Sequence, residues 1–421
     1  MNSAVAVRAE DLSASRRWLI FAAIMSVYVF YAFCWNTENF LRPYMAQSLG
    51  LSKEQVASFY SLQALGALFG AIIVPNFADR YSRRNTFALI AAGFGIASIF
   101  SLGVHSYPTA LAQRFVMGFF MGGVFGCAVS LYIGLFAATS RGLIGGIVQL
   151  VYNGGDAVLS WFGRHYADQW QSVMVVGGCG ALAASLAVFL LVPADRSLRS
   201  WGGEDAQNLK APRFAIVELF TNGYWKLTLR LVLLCGLNFF AFQAFNGWIT
   251  TFLKEDHGFS TDLVGKTMTA MHLGSMLGAL IWGLLGDRFG RRFNALGFLL
   301  AAIFIVVYLN AQPSPIMYAG VGFAYGFSFV SICVWGPYFA ELYPAHLRAT
   351  AASIFNWGRV MSLFGALLAG SIAQNLGLKT IMYIGAATFL AGAMLWWSLP
   401  ETLTRAEATR SKDADASKNS G

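Results

Sequence analysis

Residues 274–292 read GSMLGALIWGLLGDRFGRR, and residues 66–84 read GALFGAIIVPNFADRYSRR. Both stretches carry two glycines at four-residue spacing, then Asp-Arg, then Arg-Arg, and every matched position is separated by 208 residues. The same offset relates residues 50–52, Gly-Leu-Ser, to residues 258–260, Gly-Phe-Ser. The chain is therefore predicted to be a duplication of one structural unit. Small residues at this spacing also predict helices that approach closely.

The composition excludes an ordinary soluble domain. Hydrophobic residues make up 57% of the chain and charged residues 12%, against about one quarter charged in an average soluble domain. Mean hydropathy is +0.57. Twelve apolar runs are each long enough to cross a hydrocarbon core of ~30 Å as a helix. They lie near residues 18–43, 54–78, 85–104, 108–135, 142–165, 172–193, 225–253, 262–285, 293–310, 315–340, 349–375 and 378–399.

These runs predict an all-α membrane protein in which twelve transmembrane helices form two pseudo-symmetric bundles of six. Each half crosses the membrane an even number of times, so the two repeats share one orientation and are related by an axis along the membrane normal. The predicted segments are an N-terminal tail, a first bundle, a polar linker, a second bundle and a C-terminal tail. They cover residues 1–17, 18–193, 194–224, 225–401 and 402–421. Both tails are polar and have the composition of disordered segments.

The positive charges are distributed unequally between the two sides of the predicted topology. With both termini cytoplasmic, 21 Lys and Arg residues fall on the cytoplasmic side and 6 on the other, which is the positive-inside bias. The net charge of +9 is thereby explained by topology, and no nucleic-acid partner is expected. We predict a multi-pass protein of a bacterial-type inner (plasma) membrane without a cleavable signal peptide.

The loop signature of the second copy is similar to that of a known transporter family. The pattern G-x-x-x-D-R-x-G-R-R is met by Gly283, Asp287, Arg288, Gly290, Arg291 and Arg292. The first copy has Pro75 and Ser82 in place of the two glycines. Arg114, followed by Gly118 and Gly122, is similar to the fourth-helix motif of the same family. With twelve spans and a duplication, the whole chain resembles the major facilitator superfamily.

A second signature narrows the resemblance within that superfamily. Residues 336–353 read GPYFAELYPAHLRATAAS, in which Glu341, Pro344 and Arg348 are similar to an E-x-x-P-x-x-x-R pattern. With the Pro-Glu-Thr at 400–402, it resembles proton-coupled symporters of aromatic acids, sialate and other metabolites, and more distantly sugar porters. The matching loop after span 4 lacks the Glu and Pro, and span 1 lacks the paired aspartates of the aromatic-acid branch.

The resemblance implies that the loop charges hold a cytoplasmic gate closed in the outward-open state. The predicted gating residues are Asp79, Arg80, Arg83, Asp287, Arg288, Arg291, Glu341 and Arg348. The alternative is that these arginines only satisfy the positive-inside bias. Because the second copy is complete, the gate is expected to be asymmetric.

A charged side chain at membrane depth costs about 2.5–3.5 kcal/mol on insertion scales, so each one needs a partner or a task. Glu38 lies about 30 Å along span 1, and Arg114 lies at a similar depth near the outer end of span 4. We predict a Glu38–Arg114 couple in which a moving partner changes the proton affinity of the carboxylate; the alternative is a static ion pair. Asp156, near the middle of span 5, is the other candidate proton site, unless it neutralises Arg114 or Arg164.

Substrate binding is predicted from polar groups at membrane depth. Arg359 and Asn356 share one helical face at i, i+3, and the planar fork of arginine suits a carboxylate. Further candidate contacts are Gln243, Asn246, Asn36, Gln63, Tyr325 and Trp335. His272 is interpreted as a packing histidine that forms hydrogen bonds. The five cysteines lie inside apolar runs without metal-ligand spacing, so no cofactor or metal is expected.

These observations favour a secondary active transporter that imports a small organic anion, or a related polar metabolite, together with protons by alternating access. Its expected partners are the substrate, protons and the lipid bilayer, and it is expected to act as a monomer. The alternatives are a proton-driven exporter of drugs or metabolites, a sugar transporter and a receptor that does not transport. An enzyme would need a group such as a nucleophile with its base, or a phosphate-binding loop, and the sequence shows neither pattern.

The gate hypothesis makes a kinetic prediction. Replacing Asp287 with Asn should lower the maximal transport rate more than it lowers substrate binding, because the loop acts on the conformational change and lies far from the binding residues. Uptake kinetics and equilibrium binding on the same preparation measure the two effects. Unchanged transport rates would contradict the gate hypothesis.

Overall fold

The computed structural model describes residues 7–132, 135–136, 141–193, 198–199, 215–221, 223–312, 314–343 and 347–402. Statements about side chains exclude positions 7–8, 10, 75–76, 79–80, 141–143, 198–199, 215–216, 337, 340, 348–350, 352–353, 356–357 and 359–362 within those ranges.

The described residues are almost entirely helical. In the first half, the helices are α1 (Ala14–Leu49), α2 (Lys53–Arg80), α3 (Arg83–Ile99), α4 (Tyr107–Gly122), α5 (Val124–Tyr132), α6 (Arg141–Tyr166) and α7 (Trp170–Leu191). In the second half, they are α8 (Ala215–Phe220), α9 (Trp225–Phe245), α10 (Ile249–Thr251), α11 (Thr261–Phe289), α12 (Ala295–Asn310), α13 (Pro315–Phe329), α14 (Trp335–Glu341), α15 (Arg348–Leu376) and α16 (Leu378–Trp397).

The membrane spans agree with the sequence prediction. Among the described residues, ten helical stretches are long and apolar enough to span a membrane, and Leu363–Leu376 is a shorter apolar helix. One of the ten, Ile144–Leu191, contains both α6 and α7. When α6 and α7 are counted as two spans and Leu363–Leu376 is included, the described helices account for all twelve predicted spans. The predicted all-α fold is confirmed.

Three spans that look continuous in the sequence are interrupted in the structure. Span 4 divides into α4 and α5 at Gly123, and span 7 divides into α9 and α10 at residues 246–248. In span 10, the 3₁₀ turn Val330–Val334 separates α13 from α14. A run of apolar residues indicates that a segment lies in the membrane, but it does not show where the helix within that segment is interrupted.

The N-terminal tail is shorter than the sequence predicts. Residues Val7–Arg8 pair in parallel with Leu198–Arg199 over two residues. Helix α1 begins at Ala14, because the hydroxyl of Ser13 accepts a backbone N–H of the first turn. The prediction of a disordered tail over residues 1–17 is therefore wrong for residues 7–17.

The duplicated sequence produces duplicated local geometry. Gly50 and Gly258 both adopt a left-handed conformation, with φ of 63° and 65°, which glycine reaches without steric cost. Ser52 then caps α2 and Ser260 caps α11, each by accepting a backbone N–H three residues later. One turn is therefore built twice, 208 residues apart.

The repeated glycines place helix backbones in direct contact. A Cβ added to Gly118 on α4 would collide with the carbonyl oxygen of Gln63 on α2, and one added to Gly326 on α13 would collide with that of Met271 on α11. Both members of the second pair follow the first by 208 residues. The glycines of the opening motif obey the same rule: Gly66 and Gly70 meet the carbonyls of Phe115 and Phe119, and Gly274 and Gly278 meet those of Phe323 and Phe327.

The same helix pairs recur in both halves. In the first half α2 packs on α4, α3 on α7, and α1 on α6 and α7. In the second half α11 packs on α13, α12 on α16, and α9 on α15 and α16. The halves meet mainly where α2 packs against α15 and α6 packs against α11. We call the face where α1 begins and α16 ends the terminal face, and the face with the turns at residues 50–52 and 258–260 the opposite face.

The close glycine contacts predict a selective loss of stability. Gly118→Ala and Gly326→Ala should each lower the free energy of unfolding by about 1–3 kcal/mol, because a methyl group would force two backbones apart. Thermal unfolding of the detergent-solubilised protein measures the change. Gly320→Ala on α13 is the matched control, since nothing described lies within 4 Å of its added Cβ. Equal unfolding temperatures for all three variants would contradict the packing argument.

Candidate functional site

Asp156 is a buried carboxylate at mid-depth between the two faces. It lies on α6, about 22 Å from the start of that helix at the terminal face. Its Oδ1 accepts a hydrogen bond of 2.6 Å from Nδ2 of Asn36 on α1. The same amide nitrogen lies 3.4 Å from the hydroxyl oxygen of Tyr152, one turn before Asp156. The fold thus brings together Asn36 and Asp156, which the sequence separates by 120 residues.

His272 brings the second half of the protein to this carboxylate. Its Nδ1 lies 4.0 Å from Oδ2 of Asp156, and it lies on α11, which packs against α6. The predicted alternatives for Asp156 are not formed, since Arg164 lies 3.9 Å from Asp262 and Arg114 has other partners. The histidine interpreted as a packing residue therefore faces a carboxylate across the boundary between the halves.

Glu38 is paired with Arg42 and not, as the sequence predicts, with Arg114. Nε and Nη2 of Arg42 donate to Glu38 Oε1 at 3.1 and 2.5 Å, and Nη2 also lies 3.2 Å from Asn39 Oδ1. The pair is one helical turn apart on α1, so no tertiary rearrangement is needed to form it. Both side chains are almost fully buried. The predicted Glu38–Arg114 couple is therefore corrected to a Glu38–Arg42 pair in this conformation.

Arg114 lies in a polar and sulfur-lined cage inside the first half. Its Nη1 donates to Thr37 Oγ1 at 3.0 Å and lies 3.3 Å from Gln63 Oε1. Its Nη2 contacts the sulfur atoms of Met45 and Met174. Gln63, predicted to bind substrate, instead cross-links helices here, because its Nε2 also donates to a backbone carbonyl of α1 at 3.1 Å.

A wall of aromatic rings lies beside Asn36 and Asp156. It consists of Tyr28, Tyr31, Trp35, Tyr60 and Tyr152, in which each ring centroid lies 5.9 to 6.3 Å from that of at least one other member. We call this set the aromatic wall. The sequence prediction missed it, although three members share one face of α1 at i, i+3 and i+7. The wall places aromatic rings, tilted by 42 to 87° to one another, next to a carboxylate and an amide.

The interrupted span formed by α9 and α10 contains buried polar atoms for which the described residues provide no partner. Both amide atoms of Gln243, Oδ1 of Asn246 and the hydroxyls of Thr250 and Thr251 are in this state. A buried polar group left unpaired costs about 1–3 kcal/mol. These atoms are therefore positions where water or a polar ligand would be stabilised.

Two predicted substrate contacts lie in the aromatic core of the second half. Tyr325 packs with its ring centroid 4.6 Å from that of Phe245, and Trp335 packs 5.2 Å from Trp396. Both are essentially fully buried, and the described residues provide no hydrogen-bond partner for the hydroxyl of Tyr325 or the indole nitrogen of Trp335, so their role in substrate binding stays a prediction. Asn356 and Arg359 belong to α15, but their side chains lie outside the described set. Within the described residues, no three potential metal ligands converge.

At the terminal face, Arg291 links two carboxylates of the second half. Its Nη1 donates to Asp287 Oδ1 at 2.6 Å, and its Nη2 and Nε donate to the two carboxylate oxygens of Glu341 at 3.0 and 3.3 Å. The guanidinium of Arg288 is outside this network and lies 5.3 Å from the ring of Phe289. The described contacts of the complete loop signature thus remain within one half.

Glu401 completes this network and was assigned no role from the sequence. Its carboxylate accepts the backbone N–H groups of Arg291 and Arg292, each at 2.9 Å, where the 3₁₀ turn Arg291–Asn294 begins. A carboxylate at such an N-terminus is favourable because the first N–H groups have no partner within the turn. Thr402 donates its hydroxyl to Glu341 at 2.5 Å.

The first copy of the loop signature is described only in part. Arg84 donates to Asn85 Oδ1 at 3.0 Å and to the carbonyl of Val192 at 3.4 Å. Arg83 is partly buried. The side chains of the other predicted gating residues, Asp79, Arg80 and Arg348, lie outside the described set.

At the opposite face, three described ion pairs join the two halves. They are Lys53–Glu255 at 3.3 Å, Lys254–Asp168 at 3.4 Å and Arg164–Asp262 at 3.9 Å. We call these three pairs the latch. Two further hydrogen bonds cross the boundary nearby, from Thr261 Oγ1 to Asp168 at 2.8 Å and from the backbone of Lys53 to Gln374 at 3.0 Å. The halves are therefore bound together at the opposite face.

Comparison with known proteins gives the family. The model of the Major Facilitator Superfamily matches residues 24–361 and 231–419. The chain belongs to the major facilitator superfamily. It is therefore a multi-pass membrane protein of a transporter family, as its fold and its repeated loop signature indicate.

Relatives of this superfamily member carry transporter names. A putative metabolite transport protein of Haemophilus influenzae is 27% identical, over 84% of this chain and 88% of the relative. A gallate transporter of Pseudomonas putida is 23% identical, over 90% and 91%. In fold, the chain is similar to a bacterial homologue of the human lysosomal transporter Spinster, solved in an inward-facing and unoccupied conformation. The two structures match with a TM-score of 0.73 and 17% sequence identity, and the match covers 92% of this chain and 97% of that one.

In this major facilitator protein, the latch predicts that the equilibrium between the open and closed states of the opposite face depends on salt concentration. Replacing Asp168, Glu255 and Asp262 with their amides should lower the ratio of closed to open molecules at the opposite face roughly fivefold, since each exposed ion pair contributes only modestly. Electron paramagnetic resonance distances between spin labels on Ser48 and Lys379, both exposed at that face, report the closed population.

High salt should reduce the closed population of the wild-type protein and leave the triple variant unchanged, because salt screens exposed charges. The matched control is Glu54→Gln, which removes an exposed carboxylate outside the latch. A triple variant as closed as the wild type would show that the latch contributes nothing to closure.

Proposed function

We propose that this protein imports a small organic anion together with protons, by alternating access of a site between its two halves. The observation that carries the proposal is the position of Asp156. It is buried at mid-depth, is bound to Asn36 of the first half and lies 4.0 Å from His272 of the second half. A titratable group at the boundary of two moving bodies experiences a different environment in each conformation.

Asp156 is the proposed proton-binding group, in preference to Glu38. A carboxylate within a membrane needs a cation, hydrogen-bond donors or a proton. Glu38 already has a cation, since two nitrogens of Arg42 donate to it. The described partner of Asp156 within hydrogen-bond distance is the neutral amide of Asn36. Binding of a proton therefore stabilises the buried carboxylate of Asp156 more than that of Glu38, whose charge Arg42 already neutralises.

The substrate site is proposed to lie between the aromatic wall and the polar atoms of α9 and α10. The aromatic wall supports a substrate with a flat apolar part, because aromatic rings stack or pack edge to face. The amide of Gln243 and the hydroxyls of Thr250 and Thr251 supply hydrogen-bonding groups for its polar part. The name of the Pseudomonas putida relative, a gallate transporter, supports an aromatic carboxylate as the first compound to test.

The orientation is proposed from the charge bias. With the terminal face in the cytoplasm of a bacterial-type inner membrane, the positive-inside rule is met. The latch then closes the side away from the cytoplasm. Asp287, Arg291 and Glu341 are proposed to form contacts between the halves when the terminal face closes in turn.

A comparison of two neutral variants tests the proton site. In vesicles with an imposed pH gradient, Asp156→Asn should abolish proton-driven accumulation and retain substrate exchange at zero gradient, because exchange needs no net proton movement. Glu38→Gln should retain part of the accumulation. Glu54→Gln serves as the control at an exposed position. Undiminished accumulation by the Asp156 variant would remove this residue from the coupling mechanism.

Ligand-induced stabilisation tests the substrate class. Gallate, benzoate, a sugar and an amine are compared by thermal unfolding of the purified protein. A bound ligand stabilises the folded state by RT ln(1 + [L]/Kd), about 2.7 kcal/mol at one hundred times Kd. We expect stabilisation by the aromatic carboxylates. Stabilisation by the sugar or the amine alone would contradict an anionic substrate.

A further inference from the structure

Arg42 is the buried cation that touches both halves of the protein. It belongs to α1, is 2% exposed and is held by Glu38 through two hydrogen bonds. On its other side, the guanidinium carbon lies 4.4 Å from the ring centroid of Trp248. Trp248 belongs to the second half and is 1% exposed. The contact is therefore a cation–π interaction that crosses the boundary away from water.

The chain around Trp248 is built to receive this guanidinium. Trp248 is the last residue of the break between α9 and α10, and Gly247 precedes it. A Cβ added to Gly247 would lie 2.5 Å from the backbone oxygen of Gln243 and 3.0 Å from Nη1 of Arg42. A side chain at position 247 would thus clash with the backbone of α9 and crowd the guanidinium. The glycine permits the close approach.

Arg42 and the latch differ in their exposure to water. The acidic partners of the latch are 41 to 67% exposed, whereas Arg42 and Trp248 are almost completely buried. A cation–π contact gains strength when it is desolvated, and salt screens a buried contact much less than an exposed one. The buried pair is therefore the stronger candidate for holding the opposite face closed.

We propose that Arg42 is a positioning residue that holds the opposite face closed through Trp248, and that Glu38 fixes the guanidinium for this contact. Glu38 and Arg42 lie on one helix and move together. When the halves separate at the opposite face, Trp248 leaves with the second half, and the Glu38–Arg42 pair remains with the first. Opening therefore exposes a charged pair to water, and closing covers it with an indole ring.

Two substitutions of Trp248 test the aromatic contact, with the Ser48 and Lys379 spin-label distance as the readout. Trp248→Leu should raise the ratio of open to closed molecules about tenfold, which corresponds to a loss of about 1.4 kcal/mol. Trp248→Phe keeps an aromatic face and should shift the ratio much less. A leucine variant as closed as the wild type, or equal shifts for both variants, would overturn the proposal.

A double-mutant cycle tests the connection to Arg42 and Glu38. Arg42→Gln alone should open the face, and combining it with Trp248→Leu should add little, since both remove one contact. Because Glu38 fixes the guanidinium in this proposal, Glu38→Gln should also reduce the effect of Trp248→Leu on the ratio of open to closed molecules. Independent, additive shifts would show that the residues do not act as a unit. If the leucine variant fails to fold, Arg42→Gln alone decides, and an unchanged distance distribution overturns the proposal.

The experiment separates this inference from the proposed function. The distance measurement needs neither a substrate nor a proton gradient, so its failure leaves proton-coupled import untouched. Conversely, an Asp156→Asn variant with full proton-driven accumulation would leave the role of Arg42 intact. The triple latch variant, measured with the same labels, gives the size of the exposed contribution for comparison.

Discussion

The structure depends on the direct contact of helix backbones at repeated glycines. In a lipid environment, burial of apolar side chains gains little, because lipid tails are as apolar as leucine, and close packing of small residues becomes the main source of helix association. Gly118 against Gln63, and Gly326 against Met271, bring α2 to α4 and α11 to α13. These pairs build the same arrangement in each half. The boundary between the halves, where titratable groups meet, is formed by other pairs, α2 with α15 and α6 with α11.

The buried charges form two arrangements at different depths. Glu38 and Arg42 neutralise each other and lie near the opposite face, where Trp248 covers them. Asp156 lies deeper, with an amide from its own half and a histidine from the other. A charge without a partner is expensive inside a membrane, so both arrangements have a physical reason to persist. The role proposed for the first is conformational control, and the role proposed for the second is carrying a proton.

The sequence located the buried charged and titratable groups better than it predicted their partners. Glu38, Arg42, Asp156 and His272 were recognisable as charged or titratable groups in apolar runs. The predicted Glu38–Arg114 pair is not formed in this conformation, because depth along two helices fixes only one coordinate and the rotation of each helix decides which side chains face each other. Arg114 faces Thr37 and Gln63. Tyr325 and Trp335 pack among aromatic rings of the second half, and their positions in the sequence did not reveal this packing.

The sequence by itself determined the duplication, the number of spans and the family, because these depend on hydrophobic run lengths and on a motif repeated at a constant offset. Local geometry such as the caps at Ser52 and Ser260 was also encoded within a few residues. Only the tertiary structure decided that Asp156 meets His272, that Arg42 stacks on Trp248 and that the latch closes the opposite face. Those contacts join residues from different helices and different halves. Their geometry depends on how whole helices pack and rotate, which no local stretch of the chain specifies.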